Sequence, residues 1–567
     1  MSRAACRVAL LLTVSLVAAG AGRDRTTAPL MFAPPICHVV VPAATGVPAT
    51  LAGWTQGAQI FPGLGNRTRP VSTRSPLAQK YFDQGMAWLW AYNHDEATRS
   101  FAKAAAIDPG CAICFWGVAL TIGPNYNLNV MSDPRGRVAY DALRQAQALA
   151  PGATPVEQAL IAALAARYRN ANKLDDAAFA KVQTAYAAAM RDVARRFPDD
   201  MDVQTLTAEA VMTTNAWKLW SVDGRPASGT PEILARLQAV LARDPMHPGA
   251  NHYYIHALEA SPHPEQAAPA ADRLRGMMPG AGHLEHMPSH IYQRIGRYED
   301  SAEANRKGSA ADLAYYKLTK PVDYYSGYTA HNFQFEALGA AMEGRLTEAL
   351  RAMDAAQASL SADDMKGGLG WLQGQRYAYL LRYGQWRKML DQPAPDAANQ
   401  GLMVAWLWAH GTAQAATGQI AAAHDSLARL EAAPGGDNLG VNSLHNLQGI
   451  CAHLLRARIA QAGNQSDTEL TELRAAVAAE DKLGYGEPPD WFTPTRQALG
   501  AALLRAGQPA AAERVYREDL ARTPENGFSL LGLAQSLTAQ GKDATAARAR
   551  FTRAWSHAEV NISASSL

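Results

Sequence analysis

The residues best suited to chemistry crowd into one stretch, from His247 to Asp300: HPGANHYYIHALEASPHPEQAAPAADRLRGMMPGAGHLEHMPSHIYQRIGRYED. Seven of the chain's 15 histidines stand here: His247, His252, His256, His263, His283, His286 and His290. Residues four apart on a helix share a face, their Cβ atoms about 5–6 Å apart. His252 and His256 are so spaced and Glu259 follows three residues on, so one face offers two imidazole nitrogens and a carboxylate. His286 and His290 repeat the spacing. A cage of such nitrogens suits Zn²⁺, Cu²⁺ or Fe²⁺, with Tyr253, Tyr254 and Tyr292 as donors of supporting hydrogen bonds. Pro288 interrupts the second pair. Inside a helix it would clash with the Leu284 carbonyl and kink the axis; otherwise a helix begins at Pro288, and His283 and His286 belong to the entering loop. The competing reading is that these histidines pack against tyrosines or bind a peptide carboxylate.

The elements that must position them are helices. Ala267, Ala271, Leu274 and Pro279 stand at offsets 0, 4, 7 and 12, and Ile233, Leu237, Val240 and Pro245 repeat that spacing 34 residues earlier. Ala97, Phe101, Ala104 and Pro109 do the same after Gly85. The small residue lets two helices cross closely, the aromatic fills the next gap, and the proline ends the second helix. Asn93 and Glu96 have capping-box spacing for that helix. Further units are marked by Gly344, Ala349, Met353 and Ala356, and by Gly418, Ala423, Leu427 and Leu430. Gly500, Gly507, Ala512, Tyr516 and Pro524 mark another, and Gly541, Ala547, Phe551 and Ala554 the last. Residues 130–230 and 360–400 are helical by periodicity but match the spacing poorly. Strand signals are essentially absent.

These stretches resemble tetratricopeptide repeats (TPRs), from about residue 77 to 560. The blocks MPSHIYQRIGRY, HNFQF and EPPDWF are similar to blocks that recur in a group of exported bacterial TPR proteins without a settled activity. The resemblance implies an all-α fold, an α-solenoid of TPR-like helix-turn-helix repeats, and an exported protein. It implies further that positions 2, 5, 9 and 12 of each first helix face a concave groove. Counted back from the prolines, His252 and His256 take positions 5 and 9 of one unit, and His286 and His290 the same positions of the next. His331 takes position 2 of a later unit. The four histidines are therefore expected to converge on one concave patch as metal ligands, with Glu259, His283 and His331 as additional ligands or groove residues.

Other candidates read as structure. Cys111 and Cys114 open a helix after Pro109, but without a βαβ context they read as a small buried pair at a repeat junction. His94 reads as a surface residue at a helix start, unless the solenoid curls the first unit onto the central groove. Gly123 to Asn127 reads as a polar loop, and Glu487 to Trp491 as a loop stiffened by two prolines. Trp88, Trp90, Trp116, Trp217 and Trp220 read as repeat core. No Gly-rich phosphate loop, Gly-x-Ser-x-Gly elbow or His-Glu-x-x-His motif occurs, so no catalytic residue and no cofactor-binding motif is assigned.

At 567 residues with 48% hydrophobic and 18% charged content, the chain is globular, and its length fits stacked repeats better than one compact core. The opening MSRAACRVALLLTVSLVAAGAG has Arg3 and Arg7, an apolar run from Ala9 to Val17 and the small residues Ala19-Gly20-Ala21. This is a signal peptide, residues 1–21, and it addresses the chain to the periplasm or the cell exterior. Its removal leaves 51 basic and 51 acidic residues. With no basic run, nucleic acid is not an expected partner. No later segment is long and apolar enough to cross a membrane. Four cysteines remain, Cys37, Cys111, Cys114 and Cys451, too few for a disulfide scaffold. An irregular Pro/Gly-rich lead-in is expected over 22–75, lying on the first helices. Repeats follow over 76–230, over the histidine-rich 231–360, and over 361–567.

Two functions fit. One is a scaffold that binds a peptide or protein partner in its groove. The other is a metal-binding protein or metalloenzyme, an oxidoreductase or hydrolase, built on the central histidines. The repeat register is testable by itself. Ala97→Leu and Ala512→Leu should each overpack a helix crossing and cost about 1–3 kcal/mol in thermal or denaturant melts; melts that match the parent would refute the register.

Overall fold

The computed structural model describes residues 47–566, apart from 130, 132, 169–173, 175, 320–324, 367, 436–438 and 440. The expected signal peptide, residues 22–46 of the expected lead-in, and Cys37 lie outside the described residues. Among the described residues the chain is helical, and one isolated bridge between Trp220 and Pro226 is the nearest approach to a sheet. No helix among them is long and apolar enough to cross a membrane.

Helices start where side chains can serve their free N–H groups. Ser75 accepts from the Ala78 N–H and opens Pro76–Trp90, with Pro76 in the first turn where its missing donor costs nothing. Asn93 accepts from the Glu96 N–H and opens His94–Ile107. The reciprocal half of the expected capping box is not made. The Asn93 N–H donates to the Trp88 carbonyl, and the Glu96 carboxylate turns to Arg99 and Tyr315.

The helices pack as successive helix-turn-helix units. Pro76–Trp90 pairs with His94–Ile107, Tyr325–Met342 with Leu346–Ala358, Leu444–Ala462 with Ser466–Glu480, and Thr495–Arg505 with Pro509–Arg522. The chain is an α-solenoid of TPR-like repeats. Its repeating contact is an aromatic ring nested between two glycines. A Cβ on Gly85 would stand 2.6 Å from the Phe101 ring, and one on Gly117, in the next unit, 2.4 Å. Tyr516 sits likewise between Gly500 and Gly532, where a Cβ would come within 2.4 and 2.1 Å of its ring. Ala97 and Ala512 are fully buried beside these nests.

The turn inside a unit needs a left-handed residue. Gly344, Gly418, Gly507 and Gly541 supply it at φ +78°, +81°, +68° and +67°. In the first unit the same turn is made by Tyr92 at φ +52°. Trp217 and Trp220 are not repeat core. They lie in the irregular connection before Thr230–Arg243, Trp217 itself at φ +61°. Trp88, Trp90 and Trp116 are buried in helices.

The solenoid curls until distant units touch. The Gln59 amide donates to the Leu318 carbonyl at 2.8 Å, and Tyr298 Oη to the Pro524 carbonyl at 2.8 Å. Residues 47–75 contribute one short helix, Leu51–Trp54, and otherwise lie irregularly against the first helices, with Trp54 fully buried and Phe61 edge-on to Trp88.

One buried carboxyl between helices gives a pH test. Asp312, on Tyr298–Leu318, accepts from the Asn332 amide at 2.8 Å and the Thr329 hydroxyl at 3.2 Å. Burial outweighs its hydrogen bonds from Tyr325 and Thr329 and pushes it up from 3.8 to about 7. Below pH 3.8 it is protonated folded or unfolded; above that the unfolded chain ionises first, so stability falls as pH rises to about 7 and then levels off. A shift of this size is worth on the order of 4 kcal/mol. Asp312→Asn should flatten the pH dependence of the thermal midpoint between pH 4 and about 7; an unchanged slope would contradict the assignment.

Candidate metal centre

Three helical segments carry the central histidines. Pro248–Leu258 is buried on every face. His247 caps it, Nδ1 accepting from the Ala250 N–H at 3.1 Å and Nε2 meeting Asp202 at 3.0 Å, so this histidine is committed to structure. Gly249 lets the helix lie directly on Trp90, where a Cβ would stand 2.3 Å from the indole. That approach brings His252 Nδ1 to 2.6 Å from the Trp90 carbonyl oxygen. The second segment is broken at Met287 into Gly282–His286 and Pro288–Arg294. A helix does begin at Pro288, but His283 and His286 sit on a short helix of their own and not in a loop. The third segment, Tyr325–Met342, supplies His331.

The four histidines expected to share one point fall as two pairs in two candidate trios, each completed by one further histidine. Ligand atoms of His252, His256 and His283 lie within 4.8 Å of one another, and so do those of His286, His290 and His331. Glu259 links the trios through the set His256–Glu259–His290. Helical spacing alone put His286 and His290 with the first pair; the break at Pro288 lets them face His331 instead. The patch is also not an open concave surface. All six imidazoles are at most 1% exposed, because Tyr92, Tyr126 and Glu487 close over them.

The hydrogen bonds select the tautomers. A carbonyl oxygen only accepts, so His252 Nδ1 donates to Trp90 and Nε2 presents a lone pair. Glu259 takes His256 Nδ1 at 3.0 and 3.2 Å and His290 Nδ1 at 2.8 Å. The Asn305 amide nitrogen donates to the Ser301 carbonyl, so its oxygen faces His286 Nδ1 as acceptor. Carboxylate and carbonyl partners on Nδ1 are the arrangement that orients metal-ligating histidines. His252 Nε2, His256 Nε2 and both nitrogens of His283 are buried without a hydrogen-bond partner. His286 Nε2 and His290 Nε2 meet at 2.6 Å, an approach that takes either a proton on one of them or a cation beside both.

The electrostatics favour a cation. Burial first, and then neighbouring imidazoles, push His252, His256, His283, His286 and His331 well below the usual histidine value, so they are neutral ligands. Burial and then Glu487 push Glu259 up; burial raises Glu487 against the pull of Arg294. Two carboxyl groups thus stand together in the interior with their uncharged forms favoured, and a bound cation would draw them back towards the carboxylate form. Glu487 contacts His290 Nδ1.

Several site residues were not legible as such. Glu487 comes from the loop read as structural. Tyr126, from the loop read as merely polar, lies 5.3 Å from the His256 ring, and Trp217 5.6 Å. His94 is buried, not on the surface; Nδ1 meets the Thr121 carbonyl at 3.1 Å, Nε2 has no partner, and burial lowers it to about 3. Its ring lies 5.7 Å from that of Tyr92, two residues earlier in the chain. Tyr92 stands 4.6 Å from His252 and stacks on His256 and His283 at 5.9 Å each. Its signal in the sequence was a tyrosine at the turn position where later units have glycine. Of the expected supporting tyrosines only Tyr253 adjoins a histidine ring, His252, at 5.2 Å. Tyr254 and Tyr292 turn to Gln238 and Asp272. His263 is exposed beside Glu265. Cys111 and Cys114 are buried and joined as a disulfide, and Cys451 is a buried free thiol.

No family model matches the chain, and no curated protein matches it. Similar solved structures include the human IFIT1 dimer with m7Gppp-AAAA, at 13% identity and TM-score 0.32, over 78% of this chain and 89% of that one. The APC/C hetero-tetramer Cut9–Hcn1 aligns at 13% identity and TM-score 0.28, over 84% and 90%. Yeast Tom70 aligns at 10% identity and TM-score 0.29, over 82% and 89%. Likenesses this distant say nothing of the site.

Proposed function

We propose that this chain is a metalloprotein, a helical-repeat shell around a buried imidazole centre for a first-row transition ion such as zinc, copper or iron. The observation that carries this reading is the set of interior nitrogens on His252, His256 and His283 that have no hydrogen-bond partner, two of them held by acceptors on the opposite ring nitrogen. A cation would satisfy one nitrogen of each ring at once, the other nitrogen of His283 keeping its proton. Three nitrogens per ion leave a coordination position open, as Lewis-acid or redox chemistry requires. The chain's own part is to keep the imidazoles neutral by burial, to hold their Nδ1 protons on Trp90 and Glu259, and to exclude water with Tyr92, Tyr126 and Glu487. Export to the periplasm or cell exterior belongs to this reading, supported by the signal-like first residues and by the Cys111–Cys114 disulfide.

A scaffold for a protein or peptide partner is the second reading. What favours it is a cleft of about 650 Å³ that includes Arg294, Tyr298, Leu338, Met342, Tyr485 and Trp491 in its lining, away from the histidines.

The mature chain, purified without a histidine tag, is expected to carry near-stoichiometric metal by mass spectrometry. His252→Ala and His256→Ala should lose it, while His424→Ala and His557→Ala, both on the exposed surface, should retain it. A parent protein that is metal-free and takes up neither zinc, copper nor iron on dialysis overturns the metalloprotein reading and leaves the scaffold.

A further inference from the structure

We infer that the cluster holds two transition ions, one on His252, His256 and His283 and a second on His286, His290 and His331. The inference rests on the metal reading above and specifies its stoichiometry. Each trio gathers its ligand atoms within 4.8 Å of one another; metal–nitrogen bonds of about 2.0–2.1 Å span at most about 4.2 Å between two ligands, so binding an ion draws each trio slightly inward. The trios share no residue. Six imidazoles exceed what one four-coordinate ion accepts. A second ion would also account for the 2.6 Å approach of His286 Nε2 and His290 Nε2 in the other trio. An ion in that trio alone would leave His252, His256 and His283 without partners.

The linking set His256–Glu259–His290 is a hydrogen-bonded bridge and not a third ion site. Glu259 faces the Nδ1 atoms of both histidines, and both rings direct Nε2 elsewhere. One carboxylate therefore orients one ligand of each trio, which makes it a positioning residue for both. Glu487, against the same His290 nitrogen, brings a second carboxylate to the pair.

The test uses the full mature chain, untagged and stripped with a chelator, then titrated with Co²⁺ and with Zn²⁺ and read by absorption and by metal content after gel filtration. Two equivalents are expected. His283→Gln should bind one, His331→Gln should bind one, and the double variant should bind none tightly. Circular dichroism of each variant checks that it is folded, and the parent stoichiometry stands without any variant. Saturation of the parent at one equivalent overturns the two-ion inference and leaves the metalloprotein reading intact. Uptake of none overturns both. Two equivalents retained in both single variants overturns the ligand assignment.

Discussion

The molecule is governed by the need to pair polar atoms taken out of water. Each buried donor or acceptor left without a partner costs about 1–3 kcal/mol, and a domain's whole stability is about 5–15 kcal/mol. Four such nitrogens on His252, His256 and His283 would weigh on that margin if nothing met them. Around them the pairing is careful. Trp90 and Glu259 serve the Nδ1 atoms, Asn305 is itself held by Ser301, and His247 is used up as a helix cap. Other buried polar atoms also lack partners among the described residues, on Trp88, Arg167 and Gln334 for example, but these four gather on three neighbouring imidazoles.

The shell that creates this interior is made by a repeated close contact and then closed by a few long-range ones. Phe101 between Gly85 and Gly117, and Tyr516 between Gly500 and Gly532, set how tightly successive units stack. Small residues at these crossings fix the approach of the helices, and the curvature of the solenoid follows from many such steps. The accumulated curl brings the first unit's Tyr92 onto helix Pro248–Leu258, and brings Glu487 against His290. Tyr92 adopts a left-handed backbone that costs a residue with a side chain on the order of 1–3 kcal/mol, at a turn that four later units give to glycine and one to Asn464. Strain and unpaired nitrogens occur at the same place, as expected where local stability yields to function.

Much of this was legible in the chain. The offsets 0, 4 and 7, with a proline at 12, sufficed for the helix pairs, because a helix of 3.6 residues per turn puts the first three positions on one face and the proline ends it. Helical spacing likewise identified the nearness of His252 to His256, and the small residues Gly85 and Gly500 marked one side of the crossings at Phe101 and Tyr516; Gly117 and Gly532, on the other side, were not singled out. The capping role of Asn93 was legible too, since a cap depends on three neighbouring residues. The return bond from Glu96 was not, because Arg99 and Tyr315 compete for its carboxylate, and Tyr315 comes from a helix more than 200 residues away.

By itself, then, the sequence determined the helical repeats and the local spacing of the imidazoles, both set by interactions over a few residues. Only the tertiary structure decided how the histidines divide, that they are buried and not presented on an open groove, and which side chains complete the site. Grouping depended on the helix break at Pro288, which redirects His286 and His290 towards His331. Burial and the arrival of Glu487 and Tyr92 depended on curvature summed over many units, a quantity that no single spacing contains.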